Sequence, residues 1–93
     1  MAEQPQDIEQ QIAEVRSGID DIDCDIVRLL NQRATLALRL RELKPKANRP
    51  LFDPKREEEI FGHLARCNEG PLFGENLREI YERILHVMKE LQK

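Results

Sequence analysis

Apolar residues recur through the first half of the chain at Ile8, Ile12, Val15, Ile19, Ile22, Ile26 and Leu29, and again at Leu36, Leu40 and Leu43. The steps alternate between four and three residues, the spacing of a heptad seam on one face of a helix. The one position where the seam fails is Arg33. Ser17 with Asp20 resembles a capping box, and Gly18 costs about 1 kcal/mol inside a helix, so a start near residue 17 competes with an earlier one. The seam runs upstream through Ile8, which favours a start near Asp7. Pro45, followed by Lys46-Ala47-Asn48-Arg49-Pro50, breaks the pattern. The first helix is therefore expected over about 7–44.

Asp53-Pro54 opens a second helix: aspartate accepts a backbone N–H at an N-cap, and proline suits the first helical position. Glu57, Ile60, Phe61, Leu64 and Cys67 share one stripe, and Asn68-Glu69-Gly70-Pro71 ends it. That places the helix over about 54–67. Residues 71–75 read as a loop. The third helix is expected over about 76–92, with Leu77, Tyr81, Ile84, Met88 and Leu91 on one stripe and Ile80 and Leu85 beside it. No segment alternates with a period of two, and no repeat appears. The sequence thus predicts one all-α domain over 1–93, with one long helix and two shorter ones.

The long helix carries an argument about assembly. At about 1.5 Å per residue it measures roughly 55 Å, whereas a compact domain of this size is about 30 Å across. Its seam would face water in a lone chain. A symmetric homodimer is the simplest remedy; a coiled-coil spacer with a small helical cap is the alternative.

Composition narrows the function classes. The 93 residues carry 15 Lys and Arg against 18 Asp and Glu, a net charge of -3, which argues against nucleic acid as the main partner. With no Trp, one Tyr and three Phe, base stacking is not the expected chemistry. No apolar run reaches the roughly 20 residues of a membrane span, and the opening MAEQPQDIEQ lacks the pattern of a signal peptide. Cys24 and Cys67 have no metal-ligand spacing and read as reduced thiols of a cytoplasmic protein. His63 and His86 suggest neither a metal site nor a catalytic triad.

The charged residues that interrupt the helical stripes are the candidates for chemistry. A guanidinium at Arg33, in an apolar seam, is costly unless it meets an anion. That anion is a protein carboxylate or a ligand; otherwise the side chain snorkels to solvent. Lys44 lies eleven residues on, almost three whole turns, so it points nearly the same way. Its ordinary explanation is the helix dipole. Arg16 lies about 25 Å from Arg33 along the helix and about 100° around it. It cannot share a small-molecule site with Arg33 of its own helix, but could meet the partner's across an antiparallel dimer. Asp53 and Glu57 suit the second helix's N-terminus, and Glu57 also heads its apolar stripe. Arg56 between them orients a carboxylate or faces solvent. Gln92 follows Met88 by four residues at the end of the third helix. A phosphate-binding glycine loop and a nucleophile in a recognisable context are both missing, so an enzyme built this way would orient its substrate rather than attack it.

The joint spacing of Arg16, Arg33, Lys44, Asp53, Arg56-Glu57 and Gln92 resembles that of the all-helical chorismate mutases. So do the strings IDDIDCDIVRLLNQR, RPLFDPKRE and LREIYERILHVMKELQ. The resemblance extends from about Glu14 to Gln92. It implies an intertwined homodimer of three-helix chains that converts chorismate to prephenate in phenylalanine and tyrosine biosynthesis, downstream of the shikimate pathway, without cofactor or metal. Arg33 and the partner subunit's Arg16 would each clamp a substrate carboxylate, Lys44 and Gln92 would donate to the ether oxygen, and Glu57 would accept from the substrate hydroxyl. Asp53 and Arg56 would line the site. Met88 stands where many members carry a small hydroxyl residue; it would line the pocket without a strong hydrogen bond. Pro45 directly after Lys44 is a second departure, and is expected to disfavour helical geometry at Lys44. An isochorismate-pyruvate lyase of the same fold and a non-catalytic helical dimerisation module are the alternatives.

Overall fold

The computed structural model describes residues 4–91. Its elements are α1 (Pro5–Lys46), α2 (Pro54–Cys67) and α3 (Gly74–Lys89). The chain divides into two compact units, Met1–Arg33 and Ala34–Lys93. The first contains only the N-terminal part of α1. The second contains the C-terminal part of α1 together with α2 and α3.

α1 begins two residues before the expected Asp7. Pro5 takes the first helical position, where its missing N–H would have had no partner, and the Gln4 carbonyl accepts from Asp7 and Ile8. The helix passes through Gly18 without a break. It also passes through Pro45, against the expectation that this proline ends it and that Lys44 leaves helical geometry. Pro45 sits in the last turn, so its cost is confined to the one bond that would have reached the Arg41 carbonyl. Asn48 is the actual stop. With φ at 57° it adopts the left-handed conformation, its N–H bonds the Pro45 carbonyl, and the Arg49 N–H bonds the Lys44 carbonyl. This is a Schellman closure with asparagine in place of glycine.

The seam residues of α1 are exposed in the single chain, from Val15 at 63% and Ile22 at 59% to Leu36 at 70%. The first unit has no second element against which to bury them. In the second unit α1 uses a different face, on which Ala34, Ala37 and Leu38 are half-buried. The heptad spacing marks the seam but gives no signal for this second face.

α2 starts where Asp53-Pro54 dictates. Asp53 Oδ1 accepts the Arg56 N–H at 3.2 Å, and Pro54 occupies the first turn. α3 starts at Gly74, two residues ahead of the expected Asn76. Asn76 serves inside the first turn instead, where its Oδ1 accepts the Phe73 N–H at 3.2 Å. α3 ends at Lys89 rather than 92. α2 and α3 pack through Phe61 and Arg78: the guanidinium lies 4.0 Å from the ring centroid and pairs with Glu58 and Glu82 at 3.5 and 3.2 Å. Leu85 of α3, at 7% exposure, is the one buried hydrophobic residue among those described. So small a core is what remains when a helical chain keeps its longest apolar stripe outside.

Candidate active site

The second unit brings the C-terminal end of α1, the first turn of α2 and the last turn of α3 together. Lys44, half-buried in α1, extends its Nζ to the Leu51 carbonyl at 2.8 Å. It has no carboxylate partner among the described residues, so a half-buried cation rests on a neutral acceptor. Asp53 spends its Oδ1 on the cap of α2. Glu57, one turn on, keeps only 26% of its side chain exposed, and its Oε1 meets the Lys89 ammonium at 2.6 Å. Lys89 also lies 4.7 Å from the centroid of the Phe52 ring. Met88 is half-buried on the adjoining face of α3.

The end of α3 is held from α1. An Arg41 guanidinium nitrogen (Nη1) donates to the Lys89 carbonyl at 2.9 Å and to the Leu91 carbonyl at 3.0 Å. These are carbonyls that the helix itself leaves without internal donors. Neither Arg41 nor Lys89 was among the residues singled out in the sequence. Arg41 lies one turn before Lys44, which was the available signal. Lys89, a cation in a last turn, reads as an ordinary dipole partner.

Arg56 turns away from this group, to Glu59 at 3.7 Å. Gln92 lies outside the described residues. In the first unit Arg16 is exposed and Arg33 is half-buried. Arg33 has no carboxylate partner among the described residues, so within the described chain nothing supports the protein-carboxylate reading of this cation. His63 is exposed and reaches only Cys67, at 3.6 Å, and His86 pairs with Glu90 at 3.2 Å. Among the described residues no cluster of His, Cys, Asp or Glu could hold a metal ion, and no helix is long and apolar enough to cross a membrane.

Chemically, the second unit offers a half-buried ammonium whose described partner is a neutral carbonyl, and, in the first turn of α2, a carboxylate held by a lysine. The first can bind an oxyanion or a developing negative charge, and the second can accept from a hydroxyl.

Known proteins carry the same arrangement of helices. The chain is 44% identical over 88 residues to the bifunctional chorismate mutase/prephenate dehydratase of Aquifex aeolicus, covering 90% of this chain and 24% of that protein. It therefore spans about a quarter of that relative's length. It is 32% identical to the chorismate mutase of Methanocaldococcus jannaschii, covering 90% of this chain and 86% of that protein. A solved structure of Thermus thermophilus chorismate mutase superposes with a TM-score of 0.83 at 32% identity, covering 87% of this chain and 92% of the other. A second form of that enzyme gives 0.80, with coverage of 84% and 98%. The family model described as chorismate mutase type II matches residues 15–93. The match over residues 15–93, together with the identity to the archaeal enzyme over most of its length, shows that this chain belongs to the type II chorismate mutase family.

Proposed function

We propose that the protein is a chorismate mutase acting as a cytoplasmic homodimer, in which each site combines Arg33, Lys44, Asp53, Arg56, Glu57, Met88 and Gln92 of one chain with Arg16 of its partner. The observation that carries the reading is Lys44: a half-buried cation whose only described partner is the neutral Leu51 carbonyl at 2.8 Å. The helix dipole and the tie to Leu51 explain a lysine here, and neither supplies a counter-charge; an anionic substrate does.

The rearrangement of chorismate to prephenate is unimolecular. One carbon–oxygen bond breaks as one carbon–carbon bond forms, with no proton, electron or co-reactant exchanged. The protein has two tasks, to hold the chair-like conformer and to stabilise negative charge growing on the ether oxygen. Arg33 and the partner's Arg16 suit the first, because a planar guanidinium binds a carboxylate through two parallel hydrogen bonds. Lys44 and Gln92 suit the second, since donors already in place cost no reorganisation when charge develops. Glu57 accepts from the ring hydroxyl and fixes which face of the substrate meets the cations. Met88 fills the apolar wall. Orientation and charge stabilisation together account for several kcal/mol of barrier lowering.

The exposed seam of α1 supports the second copy. Its isoleucines and leucines recur every three or four residues and remain uncovered in one chain, which is the surface a second α1 would bury. Both cysteines are free and exposed, which suits a reducing compartment.

The test is direct. Purified protein given chorismate alone is expected to consume it and form prephenate. A folded preparation with no turnover at high enzyme concentration overturns the proposal, and faster release of pyruvate from isochorismate replaces it with a lyase.

A further inference from the structure

Glu57 has a partner that the rearrangement itself does not demand. Lys89, in the last turn of α3, reaches the first turn of α2 and places its Nζ 2.6 Å from Glu57 Oε1. Opposition to the helix dipole explains a cation at this end of α3, and His86 is there as well. It does not explain why the side chain crosses to another helix.

The lysine is located from several directions. Its backbone carbonyl is held by Arg41 at 2.9 Å. Its ammonium lies 4.7 Å from the Phe52 ring centroid, within cation–π range. Glu57 then takes one of its donors. Half of the Lys89 side chain is exposed, against 26% for Glu57, so the pair is screened and contributes little to stability. Its strength is geometric. A glutamate has three rotatable bonds, and a charge-assisted hydrogen bond to one oxygen restricts all of them. With Oε1 taken by the lysine, Oε2 is left as the acceptor.

We propose that Lys89 is a positioning residue: by holding Oε1 of Glu57 it presents Oε2 to the substrate hydroxyl. The inference rests on the mutase reading, and gives Lys89 no contact with the reacting atoms.

A double-mutant cycle tests it, using Lys89→Met, Lys89→Arg, Glu57→Gln and the Lys89→Met/Glu57→Gln pair in the full chain. Each variant is followed by kcat and KM for chorismate and by its urea midpoint. Lys89→Met is expected to lower kcat/KM about tenfold, mainly through KM, because the hydroxyl is present in substrate and transition state alike. Lys89→Arg should recover most of the loss, and the urea midpoint should barely move. In the Glu57→Gln background Lys89→Met should change nothing further. An equal loss in that background overturns the proposal in favour of direct substrate contact. Unchanged kinetics in Lys89→Met, or a loss that tracks the urea midpoint, overturns it in favour of a structural pair. A wild-type chain without turnover overturns the mutase reading itself, and this inference with it.

Discussion

Lys44 donates to the carbonyl of Leu51 at 2.8 Å, a residue beyond the end of its own helix. That contact ties the segment after α1 back to the helix and holds the ammonium near the first turn of α2. A neutral carbonyl is a weak competitor for a cation, so an anionic oxygen can displace it. Lys44→Met is expected to lower kcat/KM by about two to three orders of magnitude, the scale of removing a charge-stabilising donor. Far-UV circular dichroism should report unchanged helix. Turnover within a few-fold of wild type would show that the ether oxygen finds its donor elsewhere.

Arg41 is expected to matter for stability. Its guanidinium closes two carbonyls at the end of α3, and charge-assisted bonds of this kind contribute roughly 1–2 kcal/mol at a partly exposed site. Arg41→Ala should lower the urea midpoint accordingly. It should also loosen the backbone of Lys89, so the loss of activity should exceed what unfolding accounts for. A variant as stable as wild type would mean that water caps these carbonyls equally well.

The exposed seam gives the third expectation. Ile22 is 59% exposed in the single chain, yet it lies within the apolar run from Ile8 to Leu29. In sedimentation experiments the wild type should behave as a dimer. Ile22→Asp should shift it towards monomer, because a carboxylate buried at that interface has no partner. An unaltered sedimentation profile would remove the seam from the interface.

A fourth expectation separates shared sites from self-contained ones. Arg16→Ala and Arg33→Ala should each be nearly inactive alone. If each site takes one arginine from each chain, random exchange makes half the dimers mixed, each with one intact site. About a quarter of wild-type activity should then return. Demonstrated subunit exchange without recovery would place both arginines in the same chain's site, or Arg16 outside it.

The second helix was the most legible part of the chain. Asp53, Pro54 and the stripe through Cys67 state a start, a face and a stop within a few residues, and local hydrogen bonds alone decide them. The ends of the other helices were less so. Pro45 looks like a terminator, but it falls within the final turn, where its lost bond is cheap. The left-handed Asn48 stops α1 instead, with φ at 57°. Asn76 looks like a helix start, but its side chain reaches back to Phe73 from inside the first turn.

The heptad seam, the position of Arg33 within it, and the Lys44 phase eleven residues on are properties of spacing along a helix, so the sequence alone determines them. The same holds for the Asp53 cap and for the expectation that a helix this long leaves an apolar face over. Which side chains meet was decided by tertiary structure. Glu57 and Lys89 sit on different helices, far apart in the chain, and Arg41 reaches the end of α3 across nearly fifty residues. No periodicity encodes such meetings, because they depend on how helices cross and how far flexible side chains reach. Arg56 shows the same limit from the other side: its neighbours in sequence suggest a role beside Glu57, and the fold gives it Glu59.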